Sequence, residues 1–356
     1  MDRHIRRPRI CRFLICTLRH LSLTIESFKY DQASRKYIAK QQCTIIRSLR
    51  ITPGRGSDNM INNITENKAL NMIKVKNFDL AQTLECGQCF NFEKIADHEY
   101  VVIAYKKVLH IRQLGDMFKD EEVFLDFYDA PRDDIENIWI PYFDLDNDYA
   151  AIKSSLAASE PRLKGIIREY GGIHILDQDF FETMISFIIS QNKSIPQIKN
   201  IVRNICVRYG MPCGAIDGRE YHMFPEKKVF EKLTEDDFRA LKTGFRAPYL
   251  YNAVHAGLDG EALRHMEYAD AKGSLMQVKG IGDKVANCIL LFSLGFRDAF
   301  PVDIWIKRIM EEMYFGCDTH KVEIERLAKE KFGKLGGYAQ QYLFMYARMR
   351  NDEKKI

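Results

Sequence analysis

The 356-residue chain is predicted to be an α+β protein: a β-rich N-terminal domain followed by a mainly α-helical domain. Three stretches carry that expectation. Residues 98–114 (HEYVVIAYKKVLHIRQL) are rich in β-branched and aromatic residues, with Lys106-Lys107 as the turn between two strands. From about residue 150 to the end, apolar residues recur at helical spacing, broken once by Gly171-Gly172. In Val278-Lys279-Gly280-Ile281-Gly282-Asp283-Lys284, two glycines flank one apolar residue just before a further helical pattern.

The expected organisation is a basic extension over 1–70, a β-rich domain over 71–149 and a helical domain over 150–356, with the glycine turn and its flanking helices at about 270–295. Residues 1–59 hold 13 Lys/Arg against 4 Asp/Glu; the remaining residues carry 40 against 45. A net-acidic body still binds nucleic acid if its positive charges share one face. The extension suits an organelle presequence, a DNA-tethering arm or a dispensable start, with TPGRGSDN at 52–59 as a linker. No apolar run reaches the length of a membrane span, so no membrane partner is expected. The nine cysteines are scattered and odd in number, which suggests reduced thiols and no disulfide framework.

Along the chain, residues 77–94 (NFDLAQTLECGQCFNFEK) read as an opening strand and turn, and acidic, helical patterns follow the strands through residue 137. Cys86-Gly87-Gln88-Cys89 is a C-x-x-C, but Phe90-Asn91-Phe92 after it looks like strand, whereas a redox motif opens a helix. The aspartates of 139–149 lack a calcium-loop glycine and read as helix caps. A mainly apolar helix opens at Gln178-Asp179-Phe180 and ends at Ser190-Gln191-Asn192, where asparagine suits a C-cap. Phe245, in Thr243-Gly244-Phe245-Arg246, is either core or exposed.

The glycine turn carries the chemistry. A Gly-x-Gly tip has no side chains, so its N–H groups and those of the following helix start suit a phosphate, regardless of base sequence. Lys284 sits in the first turn of that helix, where the macrodipole disfavours an ammonium and favours a free amine for Schiff-base chemistry. The alternative is a surface lysine touching a phosphate as a point charge. Asp303, in Phe300-Pro301-Val302-Asp303, precedes another helical pattern as an N-cap. Joint catalysis requires Lys284 and Asp303 to meet in space.

The hairpin, Lys284 and Pro301-Val302-Asp303 together resemble the helix-hairpin-helix DNA glycosylase superfamily. Val285-Ala286-Asn287-Cys288 is similar to its 8-oxoguanine DNA glycosylase/AP lyase branch, and the resemblance spans about 76–350. It implies a TBP-like β-rich domain before the helical glycosylase domain, and a bifunctional base-excision repair enzyme. Lys284 would attack the sugar and Asp303 would assist. The Gly87 carbonyl would accept the N7–H that 8-oxoguanine has and guanine lacks. Cys288 and Phe344 would sandwich the flipped base, and Gln340 would bond its Watson–Crick edge. Asn192 would fill the vacated space, Phe245 wedge into the stack and Arg246 bond the orphaned cytosine. Gly280, Gly282 and Val285 would contact the backbone.

The partner implied is double-stranded DNA with 8-oxoguanine opposite cytosine, bound by a monomer without cofactor or catalytic metal. Only Cys317 follows Cys288, so the iron–sulfur cluster of some relatives is not expected. The compartment would be the prokaryotic cytoplasm and nucleoid, or the nucleus or mitochondrion of a eukaryote. Gln197 stands where many relatives have a second cytosine-reading arginine, Trp305 where they have histidine, and Lys193-Ser194 replace part of an asparagine run. Two rival functions are a same-fold glycosylase for another lesion and a non-catalytic DNA-binding module.

Overall fold

The computed structural model describes residues 71–353, Glu121 excepted; the basic extension lies outside the described residues. Five strands, β1 (Met72–Val75), β2 (Phe92–Ala96), β3 (Glu99–Ala104), β4 (Lys107–Leu114) and β5 (Val123–Tyr128), form an antiparallel sheet in the order β1-β5-β4-β3-β2. The β3–β4 turn is Tyr105-Lys106, both at positive φ, and Ala104 pairs with Lys107. It falls one residue earlier than expected because a two-residue hairpin needs two left-handed positions. β5 replaces the expected helical pattern: in Val123–Tyr128 alternate residues are buried, the period of a strand. Within 77–94, expected as an opening strand and turn, the chain first forms a short helix, α1 (Leu80–Glu85), with Asp79 accepting from the Gln82 N–H, and enters β2 only at Phe92.

One face of the sheet packs under α1 and an irregular helical stretch at 132–142, around Phe78, Leu84, Tyr100, Ile111, Phe127, Trp139 and Phe143. Asp148 then caps α2 (Tyr149–Ser159), and Asp144 accepts from the Tyr149 hydroxyl at 2.7 Å, so these aspartates act as caps and braces. The chain continues through α3 (Leu163–Tyr170), α4 (Phe180–Ser190) and α5 (Ile195–Tyr209).

The helical pattern then breaks for a hairpin that the sequence reading missed, β6 (Pro212–Ile216) and β7 (Arg219–His222), turning at Asp217-Gly218 with both φ positive. Its Tyr221 and Met223 pack on Val101 and Ile103, on the second face of β3. Burial on both faces explains why Tyr100–Ala104 is a continuous apolar run and not an alternating one.

The helices that follow are α6 (Lys227–Phe230), α7 (Glu235–Ala240), α8 (Ala247–His255), α9 (Gly260–Arg264), α10 (Tyr268–Met276), α11 (Asp283–Ser293) and α12 (Ile304–Met310). Two more, α13 (Lys321–Phe332) and α14 (Gly336–Glu353), close the domain. Among the described residues no helix is long and apolar enough to cross a membrane.

The break at Gly171-Gly172 is a close approach of the β-rich and helical parts. The Gly172 carbonyl accepts from the Asp79 N–H at 2.9 Å and the Thr83 hydroxyl at 3.1 Å. A Cβ on Gly172 would lie 2.5 Å from Asp79 Cβ and 2.8 Å from Met117 Sδ. Gly172→Ala is therefore expected to destabilise the protein by roughly 1–3 kcal/mol through overpacking. A thermal melt reads it, and an unchanged midpoint would show that the junction yields.

Candidate active site

The candidate site grows from two helix starts. Residues 278–282 link α10 to α11. Gly280 has φ +106, and a Cβ there would strike Tyr249 Cβ at 2.3 Å. Gly282 has an ordinary φ of −90 and open space where a Cβ would be. No side chain caps α11, so the N–H groups of its first turn are left for an external acceptor. Val285 has a buried side chain, so its outward contribution is its backbone N–H.

α12 starts differently. Asp303 Oδ1 accepts from the N–H groups of Trp305 and Ile306, both at 2.9 Å. The N-cap role is thus real, and it holds the carboxylate in one orientation. Burial raises the Asp303 carboxyl above its ordinary range, while the two N–H bonds and the Lys284 charge oppose that rise. The Lys284 charge therefore reaches Asp303, although no ion pair within 4 Å joins them among the described residues.

Lys284 Nζ donates to Ser190 Oγ at 3.4 Å and lies 5.0 Å from the Phe187 ring centroid. Cys288, one turn along α11, is buried, and burial pushes its thiol up to about 11; Lys284 lowers it and Asp303 raises it. Lys284 and Asp303 thus pull the Cys288 thiol in opposite directions.

The base-reading candidates extend this group. Gln340 on α14 is buried; its Nε2 donates to the Pro301 carbonyl at 3.1 Å, and its Oε1 accepts from Gln341 at 2.7 Å. Those bonds fix the carboxamide and leave one N–H and one lone pair. Phe344, one turn further on, is half-buried beside Gly87: a Cβ on Gly87 would lie 3.6 Å from Phe344 Cε1 and 3.0 Å from Ile195 Cδ1. Gly87 has φ +87, which favours glycine.

Gln88 holds that loop, a role the sequence reading missed. Its Nε2 donates to the carbonyls of Thr83 and His174, both at 2.8 Å, and its Oε1 accepts from the Leu176 N–H at 2.9 Å. The neighbouring cysteines are not a reactive pair: burial pushes the Cys86 thiol up to about 11 and Cys89 further still.

The opposite-strand candidates lie where α4 ends. Asn192 is exposed at φ +52, and Phe245 is 56% exposed, which resolves its alternatives against core. Arg246, expected to bond the orphaned cytosine, turns inward in this structure. It is buried, bonds the carbonyls of Gln191, Asn192 (3.3 Å) and Thr243 (3.0 Å), and lies over the Phe245 ring. Gln197 is also committed, its Oε1 accepting from the Ser194 N–H at 3.0 Å as part of a capping box. Gln191 joins this corner to the hairpin through Nε2 and the Gly280 carbonyl, 3.0 Å apart.

Two open surface clefts of about 330 Å³ each lie elsewhere, one along β1 and the start of α2, the other around Asp177, Arg264 and Arg297. Neither is lined by Lys284, Asp303 or the other candidates.

Residues 71–184 match the family model of the 8-oxoguanine DNA glycosylase N-terminal domain. Residues 185–334 match that of the HhH-GPD superfamily base excision DNA repair proteins. A probable N-glycosylase/DNA lyase of Methanothermobacter thermautotrophicus is 29% identical, over 61% of this chain and 75% of its own length. An N-glycosylase/DNA lyase of Arabidopsis thaliana is 29% identical, over 75% of this chain and 76% of its own. The solved 8-oxoguanine glycosylase/lyase of Clostridium acetobutylicum, in complex with double-stranded DNA containing cytosine opposite 8-oxoguanine, is 37% identical with a TM-score of 0.73. That match covers 79% of this chain and 96% of the solved one. The chain belongs to the 8-oxoguanine DNA glycosylase family, within the HhH-GPD superfamily of base excision repair proteins.

Proposed function

We propose that this chain flips 8-oxoguanine out of duplex DNA, excises it with Lys284 and nicks the abasic strand by β-elimination. The observation that carries the reading is the placement of Lys284 and half-buried Asp303 around Cys288, with α14 setting Phe344 beside Gly87 and Gln340 against the Pro301 carbonyl.

The hairpin at Gly280 and Gly282, with the amides up to Val285, takes a backbone phosphate. Phe245 wedges beside the lesion, and Asn192 fills the vacated space opposite cytosine. Arg246 braces the Asn192 loop instead of reading cytosine itself. Cys288 and Phe344 flank the flipped base, whose edges meet the Gly87 carbonyl and Gln340. Lys284 Nζ forms a bond to C1′ as the C1′–N9 bond breaks; the nitrogen gives up a proton, and the base leaves with the electron pair of the broken bond and takes up a proton. Asp303 stabilises the positive charge developing on the sugar. Ring opening yields an imine with Lys284. Loss of a C2′ proton then expels the 3′-phosphate, and hydrolysis of the imine frees the lysine.

Borohydride reduction of the imine tests the assignment on a duplex with one 8-oxoguanine opposite cytosine. The intact protein is expected to give a covalent adduct that Lys284→Ala does not. Retained binding without an adduct would sink the lyase chemistry, and adducts only with other lesions would favour a different substrate.

Gly282→Ala meets neither strain nor contact, so its melting midpoint should stay put. The added methyl should nonetheless raise Kd for the duplex about tenfold, equivalent to one charge-assisted hydrogen bond. Unaltered affinity would remove the hairpin from the interface.

Asp303 must be ionised to act, and burial raises it. Excision should accordingly fall on acidification starting above the ordinary carboxylate range near pH ~4. Asp303→Asn should slow excision by about 10²-fold or more across the profile. A pH series of single-turnover rates reads both, and a variant with the wild-type profile would exclude Asp303.

A further inference from the structure

Beside the hairpin lies a group of charges that the mechanism above does not use. Lys272 on α10 reaches Asp283, the first residue of α11, with Nζ 2.5 Å from Oδ1, and Glu325 on α13 at 3.5 Å. Asn287, one turn along α11, donates to Asp283 Oδ2 at 3.2 Å and accepts from the Tyr268 hydroxyl at 2.5 Å. The Lys272 side chain is only 17% exposed. The group therefore spans three helices and centres on a largely buried ammonium.

Its placement presents a conflict. A carboxylate in the first turn of a helix is favoured by the macrodipole. The first turn of α11 is also where a phosphate would arrive, and two anions within about 10 Å repel at physiological salt. Asp283 and Glu325 bring two carboxyls there against one lysine.

The surroundings lessen the conflict. Burial and the neighbouring Asp283 push the Glu325 carboxyl up to about 7, so near neutral pH it is partly protonated. Burial works against the Lys272 ammonium, but the bond to Asp283 and the neighbouring carboxyls outweigh it and raise Lys272. The ammonium is thus the fixed member of the group.

We propose that Lys272 is a positioning residue for DNA: it pins Asp283 and Glu325 toward α10 and cancels their charge, so that the hairpin meets a phosphate with amides and not with a carboxylate. The proposal rests on the reading of residues 280–285 as the phosphate site.

The test is duplex affinity, by fluorescence anisotropy across a salt series, for the full chain and four variants. Lys272→Met should weaken binding about tenfold near 0.1 M salt, and the gap should close toward ~1 M as screening shortens to about 3 Å. Lys272→Met combined with Asp283→Asn should recover to within about threefold of the intact protein. Asp283→Asn alone leaves Lys272 in place and should bind more tightly than the intact protein, a readout that survives if Lys272→Met does not fold.

A folded Lys272→Met with intact affinity overturns the proposal. So does a loss that persists at high salt and is not rescued by Asp283→Asn, which marks a merely structural lysine. So does an Asp283→Asn variant that binds more weakly. Gly282→Ala separates the two layers: if it binds normally the phosphate reading itself fails, and if it weakens binding while Lys272→Met does not, only the role of Lys272 fails.

Discussion

An uncapped helix start is the constraint on which the rest of the site depends. α11 begins at Gly282 with no side chain on its first-turn amides, whereas α4 and α12 begin under Asp179 and Asp303. Unsatisfied amides are tolerated only where water or a ligand answers them. The chain keeps this start in place by other means: Tyr249 lies against Gly280, and Gln191 holds the Gly280 carbonyl. One helix therefore keeps bare first-turn amides, while the neighbouring one is capped by the carboxylate proposed for catalysis. Lys284, one residue into the bare helix, stands between the two functions.

Packing converts these local facts into one site. α4 and α11 run antiparallel: the Gln178 N–H bonds the Phe292 carbonyl at one end, and Ser190 meets Lys284 at the other. Phe187 and Phe292 stack between them at 5.4 Å. α14 supplies the second axis. It presents Gln340 toward Pro301, sets Phe344 beside Gly87, and through Arg348 holds the Glu85 carbonyl at 2.8 Å. The Gly87 loop of the β-rich part is held at both ends, by Arg348 and by the bonds of Gln88. An edge-reading carbonyl requires such fixation, since a loose acceptor would accommodate guanine as well.

Much of this was legible in the sequence because it is written locally. Gly-x-Gly before a helical run, aspartate before Ile304 and asparagine after Ser190 are short-range signals, and each stands where it was expected. The misses are non-local or were masked by a stronger pattern. β5 hides among acids that suggested a helix, though its alternation was present. Asp217-Gly218 is an ordinary hairpin signal that the surrounding helical periodicity obscured. Arg246 shows a deeper limit: nothing in Thr243-Gly244-Phe245-Arg246 tells that the guanidinium turns inward to carbonyls 54 and 55 residues away in sequence. Gln88 and Lys272 are of the same kind, since their partners come from distant helices and loops.

Cys288 has a consequence for how long the enzyme lasts. A thiol reacts with peroxide as its thiolate, and burial that pushes Cys288 up to about 11 leaves only about one molecule in 10⁴ in that form at pH 7. Cys86, behind the Gly87 loop, is held back in the same way. Peroxide and related oxidants produce the lesion this family removes. The sulfur proposed to flank the damaged base thus keeps its soft, polarisable surface, while its surroundings withhold the charge that would make it a target of the same oxidants.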